Sequence, residues 1–165
     1  MKMIGFGFRG LPPAWLDSFV ITEELEDTVS LEIFCRDWAS SPPDLYLKLS
    51  AIKKVAGIAR RLHQNGVNHR DFYICHFLLD LSKLSKTDNF NNLQLYLIDL
   101  HRVQIRKKTP QRWIIKDLAG LFFSSMDIGL NKRDIFRFMK AYSEKPLRTI
   151  LKEETCFWLE VYRRA

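Results

Sequence analysis

Cysteine is scarce in this chain, and its three copies, Cys35, Cys75 and Cys156, stand far apart with no C-x-x-C pair among them. An odd and scattered set argues against a disulfide framework and offers no zinc-ligand spacing, so a reducing cytosol fits best. Long apolar runs are missing as well. Arg9 interrupts the apolar start from Met1 to Phe8 before a signal-peptide core can form, and no stretch approaches the ~18 apolar residues of a membrane span. Any membrane contact is then peripheral. No internal repeat and no linker divides the chain, so its 165 residues read as one domain.

What the chain does have is apolar bulk and positive charge. Hydrophobic residues make up 47% and aromatics 13%, enough for a sizeable core, and the net charge of +7 points to an anionic partner. Charge alone does not choose between nucleic acid, a phosphorylated small molecule and an acidic membrane surface. No recognition-helix or zinc-finger pattern supports nucleic acid, and none is expected as a partner.

Periodicity predicts the elements. Residues 3–8 and 18–22 read as short strands able to form a hairpin, with Gly10, Pro12 and Pro13 between them. Ser30 is a plausible N-cap for a short helix to about Ala39. After Pro42 and Pro43 a long helix runs to about Gln64, with Leu45, Leu49, Ile52, Val55, Ala56, Ala59 and Leu62 at spacings of three and four, and Asn65-Gly66 stops it. Residues 77–80 and 93–100 read as strands around a polar loop, SKTDNFNN, drawn as a solvent-exposed hairpin tip. Three helices follow, over about 111–126, 131–143 and 146–163. The fold class is therefore α+β.

Gly5, Gly7 and Gly10 match the G-x-G-x-x-G spacing of a phosphate-cradling loop. A dinucleotide site needs a helix directly after those glycines, so that its N-terminus faces the pyrophosphate. Here Leu11-Pro12-Pro13 and a second strand follow, and no lysine lies between Gly10 and Ser18. A glycine-tolerant turn is the better reading.

The chemistry concentrates in LHQNGVNHRDFYICHFLLD, residues 62–80, and YLIDLHR, residues 96–102. Asp71 falls in a loop between a helix and a strand, and Asp99 falls at the end of another strand. Two carboxylates so presented suit a metal-assisted transfer, one polarising a hydroxyl and one holding a divalent cation. Either could equally end or cap an element. Between Asp99 and Asp117 stand Arg102, Arg106, Lys107, Lys108, Arg112 and Lys116 and no acid. That segment is either a solvated basic loop or a grip on a polyanion.

The joint pattern L-H-x-x-G-x-x-H-R-D, followed by a strand-borne aspartate, resembles the catalytic and metal loops of the protein-kinase-like fold. More closely, HRDFYICHFLLD, LIDLHRVQIR, KDLAGLFFSSM and KRDIFRFMK, with ITEELEDTVSLE before them, resemble the lipopolysaccharide core heptose(I) kinase family over about residues 3–152. The resemblance implies a large helical lobe from residue 25 to 165 and a partial small β lobe with a hinge over residues 1–24. It implies ATP and Mg2+ as cofactors, and the anionic glycolipid core of lipopolysaccharide as acceptor. It also implies a cytoplasmic location, with peripheral contact at the inner face of the inner membrane.

Residue by residue, the resemblance makes Asp71 the catalytic base and Asp99 the magnesium ligand. His69 would brace the catalytic loop, and Asp117 would support that loop from a helix below or else stand exposed in a first turn. Backbone groups at Glu23, Glu24 and Leu25 would meet the adenine. Arg70, Arg102 and Arg106 would face the acceptor's anionic groups, Arg70 serving either those or an internal carboxylate. His76 stands where the kinase pattern has an asparagine metal ligand. Imidazole suits magnesium poorly, so His76 is either a nucleotide-site ligand or a hydrogen-bonded structural residue. His63 reads most simply as a packing residue. The pattern's glycine after the metal aspartate is replaced by Leu100-His101.

On this resemblance the chain begins inside the small lobe, after the glycine loop, the phosphate-binding lysine and its glutamate partner. Positioning and electrostatics supply nearly all phosphoryl-transfer catalysis, so transfer by this chain alone is expected to be weak or absent. The rival expectations are a non-catalytic binding module and a kinase of another core sugar.

Overall fold

The computed structural model describes every residue except 1, 11–14, 85–89 and 91. It opens with a hairpin in which β1 (Met3–Arg9) pairs antiparallel with β2 (Asp17–Thr22). Gly10 closes this hairpin at φ +104°, a backbone state that favours glycine, and a side chain there would strike the Trp15 carbonyl. The glycine motif is thus hairpin sequence. Pro12 and Pro13, also placed in this turn by sequence, lie outside the described residues. The hairpin leaves Ile4, Phe6, Phe8, Phe19 and Val20 more than half exposed.

The body is built around a core shared by helices and a small sheet. β3 (Thr28–Ser30), β5 (Phe77–Asp80) and β6 (Leu95–Leu97) form an antiparallel sheet in the order β3-β5-β6. Ser30 caps α1 (Leu31–Phe34), accepting from the Ile33 N–H, but α1 makes a single turn and gives way to turns before Ala39. Asp44 caps α2 (Leu45–Gln64) by accepting from the N–H groups of Tyr46 and Leu47. The buried stripe of α2 is Leu47, Ala51, Val55, Ala56, Ala59 and His63, whereas Leu45, expected on that stripe, is exposed. The expected face starts one register off because Leu45 is the first helical residue, ahead of the turn that meets the body.

Asn65 caps α2 and Gly66, at φ +76°, turns the chain into β4 (Val67–Asn68). A Cβ at Gly66 would meet the Arg106 carbonyl oxygen at 1.8 Å, so no other residue fits this turn unstrained. β4 pairs with β7 (Gln104–Ile105), which brings the basic segment alongside the residues before Asp71. The polar loop between β5 and β6 lies mostly outside the described residues. Its Phe90 is 4% exposed and joins the core, which corrects the reading of a wholly exposed tip.

Four helices follow: α3 (Gln111–Ser124), α4 (Lys132–Ser143), α5 (Leu147–Glu153) and α6 (Thr155–Arg164). The last two were expected as one. They separate at Glu154, whose carboxylate accepts from Ser143 Oγ at 2.7 Å and Trp158 Nε1 at 3.1 Å. Tertiary partners for that side chain favour a bend over a straight helix.

α2 is held to α4 by a buried ion pair. Asp134 is 1% exposed and meets Lys48 Nζ at 2.8 Å, while Arg137 NH1 donates to it at 2.7 Å. The same carboxylate completes a capping box with Asn131 at the start of α4. Burial alone would raise this carboxyl, but hydrogen bonds from Lys48, the Asn131 backbone and Arg137 outweigh it and hold it below the ordinary carboxylate range. A carboxyl depressed in the folded state stabilises the fold above its unfolded value, about 3.9, and that contribution is lost as pH falls through the folded value. Unfolding free energy measured by urea titration should therefore decline below about pH 4. Asp134→Asn should flatten the decline, and an unchanged pH profile in that variant would remove Asp134 as its source.

Candidate active site

The segment from Asn68 to His76 forms a loop packed on α3. Asp117, in the second turn of α3, is 1% exposed and spends its carboxylate on that loop: Oδ2 accepts from the His69 N–H at 2.7 Å and Oδ1 from the Arg70 N–H at 2.8 Å. His63 Nε2 lies 3.4 Å from the same Oδ2, and its Nδ1 takes the Tyr142 hydroxyl proton at 2.8 Å. One tautomer satisfies both contacts: Nε2–H donates to Asp117 and Nδ1 accepts from Tyr142. Burial, with the Glu154 and Asp117 charges, pushes the Tyr142 phenol up and keeps it a donor. His63 is thus part of a polar network joining α2, α3 and α4, not a simple packing residue.

Arg70 sits at φ 77°, a left-handed conformation costly for a residue with a side chain, and the Asp117 bond holds it there. The next residue, Asp71, has a side chain only 16% exposed. Its carbonyl accepts from His76 Nδ1 at 2.7 Å and from the Tyr73 N–H at 3.0 Å. Its carboxylate Oδ1 accepts from Arg102 NH1 at 2.9 Å.

Asp99 arrives from the other side. His69 Nε2 donates to the Ile98 carbonyl at 3.0 Å, and Asp99 follows at φ 61°. Its Oδ1 accepts from His101, and its Oδ2 lies 3.3 Å from His76 Nε2. The His101 hydrogen bond, with the nearby charges of His76 and His69, keeps the Asp99 carboxyl below the usual range despite some desolvation. His76 thus stands between the two segments, its Nδ1 donating to the Asp71 carbonyl and its Nε2 3.3 Å from the Asp99 carboxylate.

The fit to magnesium rests on Asp99 alone. Magnesium is commonly bound by one or two carboxylates plus substrate phosphates and water, which an exposed, ionised Asp99 can supply, while His76 is a soft neighbour. Among the described residues no cluster of three or more metal-ligating side chains is present. At residues 23–25, the Glu23 N–H is taken by the Lys2 carbonyl at 2.9 Å and the Leu25 carbonyl by Thr28 Oγ1 at 3.3 Å. The backbone of Glu24 and the Leu25 N–H make no hydrogen bond among the described residues.

The basic segment divides. Arg102 joins Asp71, whereas Arg106 turns to Asn68 and Gln104 and lies near Trp113 with Arg70, Arg112 and Lys116. Sequence reasoning missed Trp113, although an aromatic inside a basic run was the available signal. An apolar cavity of about 150 Å³ lies elsewhere, between α1, α2, α3, α4 and α6, lined by Trp38, Val55, Leu121, Ile128, Met139 and Val161 among others. Neither Asp71 nor Asp99 borders it.

Residues 1–142 match the lipopolysaccharide kinase (Kdo/WaaP) family. The chain belongs to that family. It is 55% identical over 154 residues to the lipopolysaccharide core heptose(I) kinase WaaP of Escherichia coli (strain K12), and 48% identical over 162 residues to the enzyme of that name from Pseudomonas aeruginosa. Those alignments cover 93% and 97% of this chain and 57% and 59% of the relatives, so the chain spans somewhat over half their length. A solved structure of WaaP in complex with acyl carrier protein superposes on 99% of this chain and 67% of its own, with a TM-score of 0.90 at 46% identity. The α+β fold is therefore that of WaaP, a protein-kinase-like fold, as the resemblance to the heptose(I) kinases implied.

Proposed function

We propose that this chain acts as an ATP-dependent sugar kinase that phosphorylates a heptose in the inner core of lipopolysaccharide, with Asp71 at its acceptor site and Asp99 at its metal site. The observation that carries the reading is the pairing of Asp71 and Asp99 through His76 in a member of this family. The acceptor hydroxyl oxygen attacks the γ-phosphorus, the bond to the β-phosphate oxygen breaks, and Asp71 takes the hydroxyl proton on Oδ2, the oxygen that Arg102 leaves free. Asp99 is the residue that would hold magnesium, which supplies neutralisation of phosphate charge when bound. His76 links the backbone of Asp71 to the carboxylate of Asp99. Residues 1–24 serve as small β lobe and hinge on this reading, and the backbone of Glu24 with the Leu25 N–H serves adenine.

None of the described helices is long and apolar enough to cross a membrane. On the kinase reading the acceptor is the anionic glycolipid core, and the reaction takes place at the cytoplasmic face of the inner membrane. An acyl carrier protein is a further partner on this reading, since the superposed WaaP is in complex with one, and the apolar cavity is the place for its acyl cargo. Immobilised chain should retain purified acylated carrier protein, and equal retention of the unacylated form would remove the cavity from that role.

The test of the main reading is transfer of labelled γ-phosphate from Mg-ATP to lipopolysaccharide core. Transfer by the wild-type chain, however weak, that disappears in Asp99→Asn is the expected result. ATP binding without transfer to any core acceptor would replace the kinase by a binding module.

A further inference from the structure

Four cationic groups converge on one indole ring beside the catalytic loop. The guanidinium carbons of Arg112, Arg70 and Arg106 lie 5.4, 5.6 and 5.9 Å from the centroid of Trp113, and Lys116 Nζ lies 5.5 Å from it. Three separate parts of the fold deliver them. Arg70 is aimed by its left-handed backbone, pinned by Asp117. The β4–β7 pairing brings Arg106, and the first turns of α3 carry Arg112 and Lys116 on either side of Trp113.

Among the described residues no carboxylate answers these charges. Arg106 donates to the neutral oxygens of Asn68 and Gln104, and Asp117 spends both oxygens on the loop backbone and His63. Two donors in the cluster, Arg70 Nε and Trp113 Nε1, are buried without a hydrogen-bond partner. Buried donors without acceptors are rare in folded proteins, and packed like charges repel unless a counter-charge sits among them. The ring quadrupole offsets part of that repulsion but accepts no conventional hydrogen bond. A multivalent oxyanion supplies the missing counter-charge: guanidinium forks grip its oxygens in pairs, lysine adds a point charge, and the N-terminal turns of α3 add their dipole.

We propose that Trp113, Arg70, Arg106, Arg112 and Lys116 form an oxyanion subsite, distinct from the Asp71–Asp99 pair, which holds a phosphate or carboxylate group already present on the acceptor. The identity of the occupant rests on the kinase reading, while the existence of the site does not. Arg102, bonded to Asp71, is not part of it. The subsite orients the acceptor by an anionic group that does not react, so that a neighbouring hydroxyl is presented to Asp71. A compact ring of cations around one indole matches a single oxyanion group and not the extended phosphate track of a nucleic acid.

The test uses the whole chain with its tryptophan indoles labelled with nitrogen-15. The sequence has four tryptophans, and Trp113→Phe assigns the resonance of interest. Inorganic phosphate is titrated in, with gluconate as a sugar carboxylate in a second arm and sodium chloride at matched ionic strength as control. The expected result is a saturable shift of the Trp113 indole that chloride does not produce, with affinity weakened about tenfold or more in Arg112→Gln/Lys116→Gln, since charge-assisted contacts are lost. Saturation by phosphate alone assigns a phosphate ester, and saturation by gluconate as well admits a carboxylate. No saturable shift from either anion, or an equal response to chloride, overturns the subsite. The titration reads no turnover, so a failed transfer assay leaves it standing, and its own failure leaves the transfer reading standing.

Discussion

Asp71→Asn is expected to lower phosphoryl transfer by about 10²–10⁴-fold, the usual yield of a positioned general base, with folding stability nearly unchanged. The separation of effects follows from which atoms do what. The backbone carbonyl of Asp71, not its carboxylate, accepts from His76 and Tyr73, so the loop keeps its shape in the amide variant. Only Arg102 loses an anionic partner, and its side chain is 43% exposed, so the pair contributes about 0–1 kcal/mol. An amide oxygen accepts hydrogen bonds but takes no proton from an attacking hydroxyl at neutral pH. Label transfer and thermal unfolding on the same preparation check the claim. Equal rates in the two proteins would take Asp71 out of the chemistry, and a rate lost together with the fold would show that the side chain is structural.

Asp117→Ala is expected to remove about 3–5 kcal/mol of folding stability, the cost of breaking a buried, hydrogen-bonded charge and stranding its partners. The N–H groups of His69 and Arg70 and the His63 ring all lose their acceptor at once. Arg70 also loses the bond that holds its left-handed backbone. Against a typical total of about 5–15 kcal/mol, such a loss should be plain in a urea melt. Asp117→Asn separates charge from geometry, because one amide oxygen can serve only part of the set, and it should fall between wild type and alanine. A loss under about 1 kcal/mol in the alanine variant would mean that water replaces the carboxylate, and the loop would then owe its shape to β4 and Gly66.

Much of this fold was legible because its signals are local. The β1–β2 hairpin, the span of α2 between Pro43 and Asn65-Gly66 and the β5–β6 pair follow from alternation and turn residues read a few positions at a time. The misread features depend on distant partners. The bend at Glu154 involves Ser143 at the end of α4, the burial of Phe90 needs the core beneath it, and the role of His63 needs Asp117 and Tyr142, which lie 54 and 79 residues away. The candidate site divides in the same way. Asp71 and Asp99 stand out in sequence through the segments around them, but their connection through His76 is a matter of ring orientation. The ring of cations at Trp113 is assembled from three elements, so no window of sequence contains it whole.

The hairpin of β1 and β2 bears on how the protein behaves in a tube. Its two strands pair only with each other among the described residues, and it carries bare aromatic and β-branched side chains along both. Outer strand edges beside greasy flanks are templates for stacking one molecule on the next. Concentrated solutions of this chain should therefore scatter light and elute early and broadly from a sizing column. A carrier fusion or mild detergent that masks those few residues should restore monodispersity without touching the catalytic loop.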